Sequence, residues 1–186
     1  MRHGAPSRPD AAETETVMKI VNVHQRLLDA APNRVAALIA TLGSASDALW
    51  PRNGWPRMVL DRPLGVGASG GHGPIRYYVE AYEPESFVRF RFKQIEGWHA
   101  FEILEAKPQH CLLRHRMQID ARVRVLLRWL FLIRPMHDAC LEELFSQAEA
   151  SLGQTPRDIP RSLYVRLLMW WLSRRRTGAA RRRHAT

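Results

Sequence analysis

Three histidines occupy positions from which their imidazoles can face one another. His99 and His115 lie in two alternating stretches, and each shares its side of the stretch with apolar residues. His137 lies in a helical stripe between apolar neighbours, so it faces the same core. Imidazole transfers protons near neutral pH. The sequence therefore predicts His99, His115 and His137 as candidate general acid/base residues of one buried site.

Two other interpretations of these histidines stay open. Each of the three can be a hydrogen-bonded core or pocket residue with no chemical role. Converging neutral imidazoles can also hold a metal ion, but no HExxH motif and no CxxC pair accompanies them. We therefore predict no metal ion and no cofactor. Arg134 and Asp138, four residues apart, are expected to pair on a helix surface.

A glycine-rich stretch from Leu64 to Val79 reads LGVGASGGHGPIRYYV. A phosphate-binding loop needs a lysine at a fixed place and a helix after it. Here a proline and a run rich in aromatic and β-branched residues follow, which is typical of a strand. The glycines are therefore predicted to allow bends and a bulge where a sheet curls, at the rim of a cavity. His72 is either a turn residue or a residue of that rim.

Alternating apolar residues predict five strands with short turns between the last four, which favours antiparallel pairing. These strands cover residues 17–26, 75–82, 87–93, 98–106 and 111–119. Asn33 is expected to cap a short helix that ends at Gly43.

The apolar period changes to 3.6 between Ala121 and Leu152, which predicts a long amphipathic helix. Pro135 is expected to kink or break it near Arg134. The predicted apolar stripe contains Leu126, Leu130, Ile133, His137, Leu141, Leu144 and Ala148.

This order of elements predicts an α+β domain. A curved antiparallel sheet has one apolar face, the long C-terminal helix covers that face, and a hollow remains between them. Residues at the inward positions are the candidate ligand-binding residues: Tyr77, Phe90, His99, Phe101, His115, Met117, Ile133, His137 and Leu141.

Three stretches of the chain resemble the START-like superfamily, also called SRPBCC or polyketide cyclase/dehydrase-like. They are ALWPRNGWPRMVLDRPLGVGASGGHGPIRYYVEAYEP, GWHAFEILE and RPMHDACLEELF. The resemblance covers roughly residues 18–152 and implies the helix-grip fold of that superfamily. Because the superfamily includes lipid carriers, hormone receptors and cyclases, the resemblance supports the fold better than any one activity.

The function that the resemblance implies is binding of a hydrophobic small molecule, such as a lipid, a polyketide-like compound or an isoprenoid. One alternative is a cyclase or dehydratase that uses the pocket histidines as general acid and base. Another is an interaction protein whose core is filled.

The two ends of the chain differ from the central domain. Residues 1–16 are predicted to be a disordered arm, residues 17–153 a ligand-binding domain, and residues 154–186 a linker, a basic amphipathic helix and a flexible tail. Of the net charge of +10, the segment from Arg157 onward contributes nine arginines and one aspartate, 9 − 1 = +8.

The basic helix carries a possible contact surface for an anionic membrane, which consists of Leu167, Trp170, Trp171, Arg174, Arg175 and Arg176. Docking of this helix on its own domain or on a dimer partner is the alternative. Nucleic acid is disfavoured as a partner because no recognised nucleic-acid-binding fold accompanies the arginines. The oligomeric state is left open.

Cytoplasmic localisation is expected, with peripheral contact at the inner face of the membrane as an additional prediction. No secretory signal and no apolar run long enough to span a bilayer is visible. Cys111 and Cys140 form no disulfide pattern. Arginine outnumbers lysine 25 to 3, which suggests a GC-rich bacterial genome.

Overall fold

The computed structural model describes residues 17–183, apart from the side chains at 106 and 175–183. The predicted disordered arm, residues 1–16, lies outside this range. The strands are β1 (Met18–Leu28), β2 (Met58–Leu60), β3 (Ser69–His72), β4 (Ile75–Glu83), β5 (Phe87–Phe92), β6 (Gly97–Lys107) and β7 (His110–Ala121). The helices are α1 (Pro32–Ala40), α2 (Val123–Arg128), α3 (Arg134–Ser151) and α4 (Leu163–Arg183), with a π-helical turn (Trp129–Ile133) between α2 and α3.

The seven strands form one antiparallel sheet in the order β1-β7-β6-β5-β4-β3-β2. Strands β4 to β7 follow one another as a meander, whereas β1 pairs with β7 along its whole length, from Met18 opposite Ala121 to Leu28 opposite Cys111. The pairing irregularities in β4 and β6 are of the kind that bends a strand. The long helix, formed by α2, the π-helical turn and α3, covers the inner face, which confirms the predicted helix-grip fold.

The glycine-rich stretch contains a strand that alternation did not predict. Gly70 and Gly71 lie inside β3, between β2 and β4. A Cβ atom on Gly70 would lie 1.9 Å from the carbonyl oxygen of Val59, and one on Gly71 would lie 1.9 Å from that of Ile75. These two glycines therefore allow close approach of neighbouring backbones rather than the predicted bends, and they leave no side-chain pattern to read.

Helix α1 begins two residues earlier than predicted. Ala31 is the N-cap residue and Pro32 occupies the first turn, so the predicted cap at Asn33 is wrong. Proline suits this position because its missing N–H has no partner in a first turn and its φ angle is already helical. Val35 and Ile39 of α1 are buried in the main core.

The long helix is continuous from Val123 to Ser151, so Pro135 does not break it. In a regular α-helix, the amide that proline lacks here would donate to the carbonyl of Phe131. That carbonyl instead accepts a hydrogen bond from the hydroxyl of Tyr164 in α4. The π-helical turn absorbs the irregularity immediately before Pro135.

This π-helical turn changes which residues face the sheet. Trp129 is 3% exposed and packs on β1 and β7, whereas Leu130, predicted to be in the stripe, is 39% exposed. The wider turn shifts the helix register, so the prediction for Leu130 is wrong. Beyond the turn, Leu141 and Leu144 are buried in the core as predicted.

Helix α4 lies against α3 through one side. Val165 is buried, and Leu168, Met169 and Leu172, at helical spacing from it, are half-buried. The sequence left three possible contacts for this helix: a membrane surface, its own domain or a dimer partner. In this structure the helix docks on its own domain. Over the described residues, no helix combines the length and apolarity needed to cross a bilayer.

Candidate functional site

The three histidines predicted to act together do meet in the structure. His99 Nδ1 and His115 Nε2 lie 3.2 Å apart, which is hydrogen-bonding distance between buried side chains. The ring centroids of His115 and His137 are 5.2 Å apart. Adjacent strands β6 and β7 position the first pair, and α3 supplies His137 from above the sheet.

Aromatic rings surround this row of imidazoles. His99 stacks on Phe90 with ring centroids 4.9 Å apart, and its edge meets Tyr77 at 5.1 Å. Phe101 packs against His115 at 4.9 Å. The candidate ligand-binding residues belong to two core clusters. Leu141 is buried in the main cluster with Tyr77, Phe90 and Phe101, and Met117 is buried in the second, against which the half-buried Ile133 packs; His137 is also half-buried.

The hollow expected between sheet and helix is filled by these side chains. Tyr77, Phe90, Phe101, His99 and His115 are each no more than 6% exposed. Because accessible surface includes the walls of internal cavities, such low values mean that no cavity of ligand size adjoins these residues. Alternation in the sequence predicts only which residues point inward, whereas the summed volumes of their side chains determine how much space remains.

Three imidazole nitrogens of this row are buried without a hydrogen-bond partner among the described residues. They are His99 Nε2, His115 Nδ1 and His137 Nδ1. A buried polar atom without a partner costs about 1–3 kcal/mol of stability. Burial also lowers the pKa of His99 and His115 far below the usual value, so both imidazoles are neutral at pH 7.

His72 extends the row toward the edge of the sheet. Its Nδ1 lies 3.1 Å from the hydroxyl of Tyr77, and its ring lies 4.8 Å from that of Trp50. Burial lowers its pKa to about 4. His72 is therefore a strand residue packed between two aromatic rings, which is neither the predicted turn residue nor an open rim position.

A second polar cluster, which the sequence analysis missed, joins β1 to α3. Asn22 Nδ2 and His24 Nε2 each lie 3.0 Å from Asp138 Oδ1, and His24 Nδ1 lies 3.2 Å from Glu142 Oε1. Arg26 donates to Glu142 Oε2 at 2.7 Å. The sequence signal that could have indicated this cluster is the alternation of Asn22, His24 and Arg26. It places three polar residues on the inward face of β1.

The charges of this cluster reinforce one another. The hydrogen bond to Asp138 raises the pKa of His24, against the opposing effect of burial. Burial disfavours an ionised Asp138, but the nearby ring of His137, 3.7 Å away, and the hydrogen bonds from His24 and Asn22 outweigh it and hold the pKa of this carboxyl low. The predicted contact between Arg134 and Asp138 is present at 3.5 Å, as one part of the cluster.

A cavity of about 230 Å³ lies beside this cluster, between α3 and the chain that leads into α4. Asp138 and Glu142 line its α3 side, and Pro160, Arg161 and Val165 line the other side. It lies outside the sheet–helix interior.

Four of the residues predicted to contact a membrane, Leu167, Trp170, Trp171 and Arg174, are exposed on the side of α4 that faces away from the domain. Leu167 is 54% exposed and Trp170 is 52% exposed, and Trp171 is also exposed. The guanidinium carbon of Arg174 lies 4.0 Å from the ring centre of Trp170. Arg175 and Arg176 lie outside the described side chains.

Comparison with known proteins shows similarity of fold. No protein family and no curated protein sequence matches the chain. A norcoclaurine synthase mutant of Thalictrum flavum with a transition-state analogue matches with a TM-score of 0.57 at 11% identity, over 74% of this chain and 97% of that one. The same enzyme with dopamine and hydroxybenzaldehyde has a TM-score of 0.53 at 9% identity, over 84% and 99%.

A solution structure of a Thermobifida fusca protein is also similar, with a TM-score of 0.56 at 12% identity, over 75% of this chain and 99% of that one. Both proteins support the helix-grip architecture. At such low identity they do not show which ligand or reaction belongs to this chain.

Single and double replacements of the imidazole pair are expected to differ sharply in stability. His99→Leu or His115→Leu alone leaves the remaining imidazole without its bond and lowers the free energy of unfolding by about 1–3 kcal/mol. The double variant removes both polar groups. Its loss in free energy of unfolding is expected to be smaller than the sum of the losses of the two single variants. Urea denaturation of the four proteins measures this coupling; losses that simply add would contradict it.

The same pair is expected to destabilise the protein in mild acid. Unfolded histidine has a pKa of about 6.5, and burial lowers the pKa of His99 and His115 in the folded state. The unfolded chain therefore binds more protons below about pH 6.5, and stability falls as the pH falls, by at most about 1.4 kcal/mol per pH unit for each histidine.

Urea denaturation between pH 7.5 and 5 of the wild type and of the double leucine variant tests this dependence. The variant is expected to lose less stability over this range. His24, whose pKa is raised, contributes in the opposite direction, since its stabilisation is complete below pH 6.5 and declines at higher pH. Because it is present in both proteins, it cancels from the comparison. Equal slopes would refute the assignment.

Proposed function

We propose that this protein is a ligand-binding member of the START-like superfamily. Its ligand is a mostly apolar small molecule with one hydrogen-bonding group, of the lipid, polyketide-like or isoprenoid class. Because side chains fill the space between the sheet and the long helix in this structure, the ligand is held there only after the helix has moved away from them. The observation that carries the proposal is the pair of partnerless nitrogens, His99 Nε2 and His115 Nδ1, in an interior lined by aromatic rings. A polar atom of the ligand would satisfy one of them, and its apolar part would pack on the rings.

Entry of a ligand requires the helix above the imidazoles to move. Trp129 and His137 close the interior on that side, with ring centroids 5.6 Å apart. The helix around them is weakly buried, since Leu127, Leu130 and Phe131 are exposed, and its π-helical turn lacks regular hydrogen bonding. Segments with few buried apolar contacts open at low free-energy cost, which favours this segment as the entrance.

The similar structures support this kind of occupant. One is described as norcoclaurine synthase in complex with dopamine and hydroxybenzaldehyde, two small aromatic molecules. The shared fold extends to 84% of this chain. For this protein the comparison supports the proposal that the shared fold accommodates a small molecule.

The alternative function is catalysis by the same imidazoles. In the 3.2 Å contact of His99 with His115, one neutral ring donates a hydrogen bond through its N–H group and the other ring accepts it. Such a pair can protonate one atom of a bound carbonyl compound and deprotonate another, as a cyclase or dehydratase requires. This alternative shares the binding site and adds a reaction to it.

The outward side of α4 supports a further part of the proposal, peripheral contact with an anionic membrane. Leu163, Leu167 and Trp170 are exposed along this side, opposite the side that docks through Val165. Tryptophans suit the interfacial region of a bilayer, and arginines attract anionic headgroups.

Binding of an anilinonaphthalene sulfonate, which joins apolar rings to one anionic group, tests the interior site. The double variant His99→Leu/His115→Leu is expected to lose about tenfold in affinity, as removal of a hydrogen bond predicts. Trp129→Leu is expected to bind more tightly because it opens the entrance. Leu127→Ser, an exposed change on the same helix, is the matched control.

Native mass spectrometry of the freshly purified protein supplies the second measurement, because a retained endogenous ligand appears as added mass. Unchanged probe affinity in both interior variants, together with the absence of any retained mass, would refute the proposal. If alanine at His99, His115 and His137 leaves an activity found later unaffected, the catalytic alternative fails.

Flotation with vesicles tests the membrane contact. Vesicles that contain phosphatidylglycerol are expected to bind the protein more strongly than phosphatidylcholine vesicles, and salt should weaken the binding. Leu167→Ser/Trp170→Ser is expected to reduce binding about tenfold or more, since two apolar side chains leave the bilayer. Val21→Ser/Val59→Ser, which alters two exposed valines of the sheet, is the control. Equal loss in both variants would exclude a role for this side of α4.

A further inference from the structure

We propose that His24, His137 and Asp138 bind a divalent transition metal ion, with Zn²⁺ as the best-fitting ion. This inference does not rest on the proposed ligand, because two of the three donor residues, His24 and Asp138, lie outside the ring-lined interior, and only His137 borders both sites. Two imidazoles and one carboxylate are a donor set that Zn²⁺ and other first-row transition metals accept.

The distances between the donor atoms suit a single ion. One donor atom from each residue lies within 4.8 Å of the other two. Asp138 Oδ1 lies 3.0 Å from His24 Nε2 and 3.7 Å from His137 Nδ1. Ligands bound about 2.0–2.1 Å from a tetrahedral Zn²⁺ lie roughly 3.3 Å from one another, so the observed separations fall on either side of the required one.

An unpartnered donor atom provides independent support. His137 Nδ1 is buried and forms no hydrogen bond with the described residues, because 3.7 Å to Asp138 is too long for one. A neutral imidazole can leave this nitrogen as a lone pair. Within the part of the chain that the structure describes, the carbonyl oxygen of Asn22, whose amide group donates to Asp138, is also buried without a partner.

The surrounding residues resemble the outer shell of a metal site. The second nitrogen of a metal-bound histidine usually contacts a carboxylate or a carbonyl, which fixes the orientation of the ring. His24 Nδ1 has such a contact with Glu142 Oε1 at 3.2 Å, and Arg26 in turn holds Glu142. Asn22 and Arg134 orient the carboxylate of Asp138.

A metal-free ion pair accounts for only part of this arrangement. A protonated His24 between Asp138 and Glu142 explains both contacts of His24. It does not account for the buried His137 Nδ1, which lies 3.7 Å from the same carboxylate oxygen, too far for a hydrogen bond. When the ion binds, it replaces the proton that His24 Nε2 shares with Asp138, and that proton passes to solvent.

The site leaves room for a further ligand of the ion. Three protein donors leave at least one position of a tetrahedral ion open. Asp138 and Glu142 also line the cavity of about 230 Å³ between α3 and the chain before α4. The open position can therefore hold water or a small anion that enters from this cavity.

Isothermal titration of the chelator-treated full chain with Zn²⁺ tests the proposal. We expect one ion per chain for the wild type, and a loss of affinity of about 100-fold or more for His137→Ala, since even residues that only orient a ligand contribute 10–100-fold. Glu142→Gln is expected to lose about 10–100-fold for that reason. His110→Ala, a half-buried histidine at the start of β7, is the matched control and should bind as the wild type does.

Two further measurements keep the outcome decisive if a variant is unstable. Zn²⁺ is expected to raise the melting temperature of the wild type and of His110→Ala but not that of His137→Ala. The substitution at His137 removes no hydrogen bond of Nδ1, because this atom has none among the described residues. Co²⁺ in the same site should give the visible absorption of a tetrahedral complex. Absence of stoichiometric binding to the wild type, or equal binding by His137→Ala and His110→Ala, would overturn the proposal.

Discussion

The buried contact between Arg26 and Glu149 determines how the long helix lies on the sheet. Both side chains are only 5% exposed, and their atoms approach to 2.8 Å. The two charges belong to a small network, since Arg26 also donates to Glu142 Oε2 and Glu149 also accepts a hydrogen bond from the backbone amide of Arg157. The contact joins the first strand to the last turns of α3. It therefore sets the helix register that brings Asp138 to His24 and that places Leu141 and Leu144 over the core.

The inner face of the sheet thus has two polar centres with opposite electrostatic character. Around His99 and His115 the surroundings are aromatic and the imidazoles are neutral, whereas between β1 and α3 the contacts are ionic and favour charge. His137 contacts both, through its ring on one side and through Asp138 on the other. A single residue of α3 therefore connects a centre suited to an apolar molecule with one suited to a cation.

Much of the fold was predictable from the sequence, because alternation and helical period reflect burial directly. The convergence of His99, His115 and His137 followed from the same patterns. Strand β3 did not, since glycines carry no side-chain pattern. The burial of Trp129 instead of Leu130 was not predictable either, because it depends on a backbone irregularity before Pro135. The cluster at His24 and Asp138 required the register between two elements 114 residues apart, which local patterns do not contain.

The hydrogen bond from Tyr164 to the carbonyl of Phe131 has a mechanical consequence. It attaches α4 to the one turn of the long helix where proline has removed a regular bond, close to the tryptophan that seals the interior. Displacement of α4, for whatever cause, would withdraw that substitute bond and loosen the seal. Binding at the outer surface of α4 can therefore alter the helix turn that closes the interior, without any contact with a molecule bound inside.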